Sequence, residues 1–190
     1  IYLKGEQAVP LVPDLVKVEE ELQDPEGAAF FLDLAARSVT IVKDTNVGGE
    51  RIFPLSPDRA GRVLLAGRYN DFFNAGEKAF PGSVFFRMQG RSPSELAWLA
   101  GNADTVIFCL ADADDLVFLR GLRNSGKRVI IFSILSPVHI EEALWADAAL
   151  AVYSYAPESF IAGFSAILGR IPAEGRLPFT LGENTATPRN

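Results

Sequence analysis

Three carboxylates fall within four residues at Asp112-Ala113-Asp114-Asp115, directly after an apolar run that reads as a strand. Carboxylates this close together can hold a divalent cation or divide into a general acid and a base. The same pattern also suits a helix start, with Asp112 as cap and Asp114 and Asp115 in the first turn, where the helix dipole favours negative charge. His139 is the sole histidine and follows Ser136-Pro137. A Ser–His–Asp hydrolase would have to use it, yet there is no G-x-S-x-G elbow, and Ser133 and Ser136 lack the glycine context of such a nucleophile. One histidine and one cysteine argue against zinc, whose sites draw on several such ligands. Cys109 stands among Ile107, Phe108 and Leu110, the setting of a packed and inert thiol. Gly67 closes a strand-like run where a phosphate-binding turn would sit, but neither G-x-G-x-x-G nor G-x-x-x-x-G-K-(S/T) occurs. No cofactor is implied, and the residues make no complete catalytic set.

These side chains must be held by a fold, and composition bounds which one. The chain has 190 residues, 48% hydrophobic and 22% charged, enough for one compact domain that needs no disulfide or structural metal. Its net charge is −6 and no basic cluster offers a phosphate-neutralising face, so nucleic acid is not an expected partner. The longest apolar stretch, Val129 to Leu135, is far short of the ~20 residues of a membrane span. A single cysteine excludes an internal disulfide but leaves the compartment open. The first residue is Ile1 and no signal peptide is visible, from which a piece cut from a longer chain is expected.

From Ser38 onward, short β-branched runs alternate with segments of helical period, the signature of a parallel sheet with crossover helices. Strands are expected at Val39–Lys43, Val63–Gly67, Val84–Met88, Thr105–Ala111, Val129–Leu135 and Ala149–Tyr155. The fold class is α/β: a three-layer α/β/α sandwich with a mostly parallel sheet of about six strands, flavodoxin-like or Rossmann-like. Ser92-Pro93-Ser94-Glu95 reads as a capping box with proline at the first helical position, and Asp24-Pro25-Glu26 and Ser136-Pro137 open helices in the same way. After Asp112 a helix carries Leu116, Leu119 and Leu122, with Gly126 placed to stop it. In the last helix Phe160, Ile161, Phe164, Ile167 and Leu168 form one apolar stripe that ends near Gly169. Residues 45–62, with Gly48-Gly49, Pro54 and Pro57, read as a long connection with one irregular turn. Phe72, Phe73 and Phe80 lie in a less regular segment and could face a partner. Residues 1–23 are expected to be a linker or tail, 24–182 the sandwich domain, and 183–190 a C-terminal tail.

Several segments, in order, resemble the second domain of family 3 glycoside hydrolases. Ala35-Ala36-Arg37-Ser38-Val39-Thr40-Ile41-Val42-Lys43-Asp44 is similar to the opening A-x-x-S-(I/V)-T-L-(V/L)-K-(N/D) of that domain, and Pro54-Leu55 stands where the family has L-P-L. The run from Leu168 to Pro178 resembles the closing L-x-G-x-x-x-P-x-G-(K/R)-L-P, with shifted spacing near Gly169. Between them Ala103-Asp104-Thr105-Val106-Ile107, Gly126-Lys127-Arg128-Val129-Ile130 and Ser136-Pro137 keep the family's order, so the resemblance spans about residues 27–181.

The resemblance implies a two-domain retaining β-glycosidase whose N-terminal (β/α)8 barrel, with the Asp nucleophile and the carbohydrate substrate site, lies outside this sequence. A retaining site needs two such groups about 5 Å apart or an equivalent base, so this chain alone is expected to be inactive. In the family's β-glucosidase-like members the second domain donates an acidic Glu from a loop with an Asp-Arg pair, after the strand matching Thr105–Ala111. Here that loop is Asp112-Ala113-Asp114-Asp115-Leu116, with no Glu, and the only Asp-Arg pair is Asp58-Arg59. The departure favours the β-N-acetylglucosaminidase-like branch, in which an Asp-His dyad on the barrel does the acid/base work and this domain is non-catalytic. Two alternatives stand beside it. Asp112, Asp114 or Asp115 could supply the general acid of a β-glucosidase-like enzyme, or the chain could be a free-standing flavodoxin-like ligand-binding module. Gly175 and Pro178 can be read without any chemistry, as residues that shape the exit from the last helix.

Overall fold

A computed structural model of the chain describes residues 25–46, 48–177 and 179–181; the expected linker over 1–23, the tail over 183–190, and Asp24 and Pro178 lie outside the described residues. The elements run α1 (Pro25–Ser38), β1 (Thr40–Lys43), α2 (Pro57–Ala60), β2 (Val63–Gly67), α3 (Asn70–Ala79), β3 (Val84–Arg87), α4 (Pro93–Ala100) and β4 (Thr105–Leu110). A 3-10 turn (Ala113–Asp115) then leads into α5 (Leu116–Arg120), β5 (Arg128–Ser133), a second 3-10 segment (Pro137–Ala143), β6 (Ala148–Ala151) and α6 (Pro157–Ile167).

The six strands form one sheet in the order β1-β6-β5-β4-β2-β3. All pairs are parallel except β1 with β6, which are antiparallel with an irregularity between Ile41 and Lys43. The α/β class and the mostly parallel six-stranded sheet are therefore as expected. The path starts at β2, steps outward to β3, then returns past β2 to build β4, β5 and β6 on the other side. The reversal falls between β2 and β4, and a doubly wound sheet opens a crevice at the carboxyl ends of such a pair.

The central strands have no polar face because both sides are covered. Along β4, Ile107 and Cys109 enter one hydrophobic cluster with Phe72, Phe73, Phe132, Phe160 and Phe164, while Val106, Phe108 and Leu110 enter another with Leu96, Leu119, Ile131 and Ile140. Parallel strands buried on both faces read as unbroken apolar runs for this reason. Gly163 lets α6 lie against the sheet, because a Cβ there would collide with the Phe132 ring and Val152.

Five expected strands differ from the observed ones at their ends, the first of them, Val39–Lys43, beginning only at Thr40. Val84–Met88 stops at Arg87, Thr105–Ala111 at Leu110, Val129–Leu135 becomes Arg128–Ser133, and Ala149–Tyr155 becomes Ala148–Ala151. Leu135 (φ 59°) and Tyr153 (φ 62°) adopt left-handed backbone just past β5 and β6, which no strand can include.

The helix expected from Asp112 to Gly126 is instead a 3-10 turn followed by the five-residue α5, and Gly126 (φ 68°) turns the chain well beyond its end. Leu116, Leu119 and Leu122 are all buried, but their spacing of three suits the 3-10-type bonds Leu122 N–H to Leu119 O and Gly121 N–H to Phe118 O. Ser136 does accept from the Val138 N–H, yet what it opens is the 3-10 segment. In α6 the stripe holds for Phe160, Phe164 and Ile167, whereas Ile161 is exposed.

The segment read as irregular is the ten-residue helix α3, and Phe72, Phe73 and Phe80 are buried rather than turned to a partner. Tyr69 at its N-cap makes no side-chain cap bond, and Gly76 sits inside it against Leu65 and Phe164. The connection over 45–62 holds a bridge between Thr45 and Arg51 and the short α2, capped by Ser56. The capping box at Ser92 and Glu95 is formed as the sequence implies.

Candidate functional site

At the reversal point β2 and β4 end side by side, and their next residues meet. Gly67 closes β2 and is needed there for contact: a Cβ would lie 2.9 Å from the Cys109 Cβ of β4 and 3.3 Å from the Phe72 ring. Its place after a strand thus serves packing. Arg68 follows, and its Nη1 and Nη2 donate to the two oxygens of Asp112 at 3.3 and 3.4 Å. Arg68 Nη2 is also in ion-pair contact with Asp115 Oδ1.

The three aspartates after β4 have separate fates. Asp112 is the N-cap of the 3-10 turn, its Oδ1 accepting from the backbone N–H groups of Asp114 at 3.0 Å and Asp115 at 3.3 Å. Asp115 is fully buried, and its Oδ2 accepts from the Ala111 N–H at 2.9 Å. Burial pushes the Asp115 carboxyl above its ordinary value, against the Ala111 N–H and the Arg68 charge, which pull it down. Asp114 is exposed, and the Asp112 side chain stays about half open to solvent. Among the described residues no three His, Cys, Asp or Glu side chains are grouped so that they could hold a metal ion.

Around this cluster the rim of the sheet is aromatic. Tyr69 stacks on Tyr155 with ring centroids 6.1 Å apart, and burial raises the Tyr69 phenol above its ordinary value. Cys109 lies beneath, a fully buried thiol whose pKa burial drives well above the ordinary one, so it is inert as a nucleophile. Ser133 spends its hydroxyl on the Ser136 carbonyl at 3.2 Å, and His139 sits on the 3-10 segment after β5. No nucleophile, base and orienting acid converge here.

Arg68 is the member of this cluster that sequence reasoning missed. The acidic residue near it in sequence, Asp71, is not the one it pairs with, and Asp112 is 44 positions away. Only the pairing of β2 with β4 brings them together.

The residues that carry the family resemblance have structural work in this fold. Lys43 Nζ donates to the carbonyls of Leu144, at 2.8 Å, and Ala146, at 2.5 Å. Asp44 accepts from the Phe53 N–H at 2.7 Å and the Arg51 guanidinium at 2.8 Å, which pins the connection over 45–62. Gly175 is in contact with the start of β1: its N–H donates to the Val39 carbonyl at 3.0 Å, and a Cβ would strike the Ser38 carbonyl and the Thr40 hydroxyl. The glycine is required by this close approach, whereas the sequence suggested unusual φ.

No family model matches the sequence, and no curated protein matches it. Solved structures do match. A fungal multi-domain GH3 β-N-acetylglucosaminidase with a GCN5-related glucosamine N-acetyltransferase region superposes with a TM-score of 0.72 at 20% identity, over 89% of this chain and 20% of that one. A family 3 β-N-acetylglucosaminidase from Paenibacillus sp. str. FPU-7 gives 0.70 at 17% identity, over 84% of this chain and 34% of that one. A β-glucosidase from Listeria innocua gives 0.63 at 14% identity, over 80% and 26%. The chain thus spans from a fifth to about a third of the length of these proteins. It has the fold of one domain of family 3 glycoside hydrolases, of the C-terminal type.

Proposed function

We propose that this chain is the non-catalytic C-terminal domain of a family 3 β-N-acetylglucosaminidase-like enzyme. It is a three-layer α/β/α sandwich over residues 24–182, joined through 1–23 to a catalytic (β/α)8 barrel of the same polypeptide, which takes the carbohydrate substrate. The observation that carries this reading is the loop after β4. Asp112 is committed to a cap and to Arg68, and Asp115 is buried under the same guanidinium. A general acid must reach the leaving-group oxygen, and the engagement of Asp112 with Arg68 and the burial of Asp115 both weigh against that role. The two fold matches with TM-scores of 0.72 and 0.70, both β-N-acetylglucosaminidases, support the same branch.

The test is an assay of the longer polypeptide encoded around this sequence, on aryl β-N-acetylglucosaminides and aryl β-glucosides. Cleavage of the first by the long polypeptide, with none by the 190-residue chain, is the expected result. Cleavage of β-glucosides alone would favour the second reading, in which this domain supplies the acid. Asp114 is what supports that alternative, since it is exposed and, unlike Asp112, is committed neither to the cap nor to Arg68.

A further inference from the structure

The outer face of α1 and the groove beside it are apolar and bare. Phe30 is 62% exposed, Phe31 58% and Leu34 52%, with Leu32 also exposed, on a single helix of 14 residues. The inner side of the same helix packs on α6 and buries Ala35 in the core. Phe31 and Leu34 continue into a groove of about 600 Å³ whose far wall is Val152, Tyr153 and Ala156, where the chain leaves β6 and enters α6. Tyr153 is held there in left-handed backbone by a 2.8 Å hydrogen bond from its hydroxyl to the Thr40 Oγ1. Beyond the groove, Tyr155 is 60% exposed on the aromatic rim that leads to Arg68. Bare apolar area that is contiguous over a helix, a groove and a rim marks a surface built to be covered.

We infer that this band is the docking face for the domain that precedes α1 in the same polypeptide, an inference that rests on the reading proposed above. The matched proteins have room for such a domain, since this chain accounts for only 20% and 34% of two of them. α1 is the first described element and 24 residues of sequence come before it, so chain arriving from upstream meets the fold at this helix. The Asp33–Arg37 ion pair flanks the apolar side chains on α1, a polar rim around an apolar centre as interfaces have. A domain seated here would lie along the carboxyl edge of the sheet and bring its own residues over Arg68 and Asp112. The exposed aromatic on the other side of the sheet, Trp98 on α4, is 75% exposed and stays outside this face.

Hydroxyl-radical footprinting of the 190-residue chain and of the long polypeptide reads the exposure of these rings directly. Phe30 and Phe31 are expected to lose most of their reactivity in the long polypeptide, with Trp98 unchanged. Equal reactivity of Phe30 and Phe31 in both proteins, or protection of Trp98 instead, would overturn the docking face. Protection of the two rings by self-association of the 190-residue chain would overturn its occupant. The glycosidase assay is read separately: protected rings in a polypeptide that cleaves no β-glycoside would leave the docking face standing and remove the family reading.

Discussion

Arg68 and Asp115 form a pair in which only the arginine reaches water. The carboxylate is buried, with the guanidinium and the Ala111 N–H as its compensation. Removing the cation should therefore cost more than removing a surface ion pair, which is worth ~0–1 kcal/mol. Arg68→Met is expected to destabilise the fold by about 3 kcal/mol at neutral pH. Burial already holds the Asp115 carboxyl above its ordinary value, and losing Arg68 raises it further. A protonated Asp115 carries no charge to compensate, so the deficit of the variant should shrink as the pH is lowered. Urea unfolding of both proteins at neutral and mildly acidic pH checks this, and a deficit independent of pH would contradict it.

Asp104, at the opposite end of the sheet, behaves the other way. Hydrogen bonds from the Arg62 side chain and backbone hold its carboxyl down to about 2, against an ordinary 3.8. Its folded value lies below its unfolded one, so its stabilisation is present above pH 3.8 and is lost as the pH falls through about 2. Asp104→Asn should flatten the acid limb of the stability curve in that window and lower stability at neutral pH by the same amount, a small one because the pair is exposed. Acid unfolding followed by circular dichroism measures it.

At the scale of elements, close approach sets the tolerances. Gly163→Ala would drive a methyl group into the Phe132 ring, which is locked among Phe72, Phe160 and Phe164 and has nowhere to move. A loss of about 1–3 kcal/mol is expected, read as a lower urea midpoint. Ser92→Ala removes the capping box of α4 and should cost about 1 kcal/mol in the same measurement.

What could be read in the sequence at this scale follows from where each signal resides. The six strands were legible because parallel strands covered on both faces are apolar runs, and the Ser92 box because a cap is local chemistry. α3 was not, since Tyr69 gives no cap signal and the helix contains Gly76 for a tertiary reason, its contact with Leu65 and Phe164. The turns at Leu135 and Tyr153 were missed because neither residue type signals left-handed backbone. Asp112 as a cap was one of two readings open in sequence. Arg68 as its partner, 44 residues distant, needs the sheet order and cannot be read locally.

Across the whole molecule, the residues that give the chain its family resemblance build the domain. Lys43 and Asp44 fasten β1 to its surroundings, and Gly175 lays the closing segment against the start of β1. The carboxyl edge, where a sheet of this order offers ligand sites, is closed by an Arg–Asp cluster that caps and packs.

The most direct test of that account is the rate of aryl β-N-acetylglucosaminide hydrolysis by the long polypeptide carrying Asp114→Ala, with Asp112→Asn beside it to keep a capping side chain. Both variants are expected to retain kcat/KM close to that of the unsubstituted protein. A fall in kcat of ~10²–10⁴-fold for either, recovered with azide or with an activated leaving group, would make that carboxylate the general acid and contradict a non-catalytic domain.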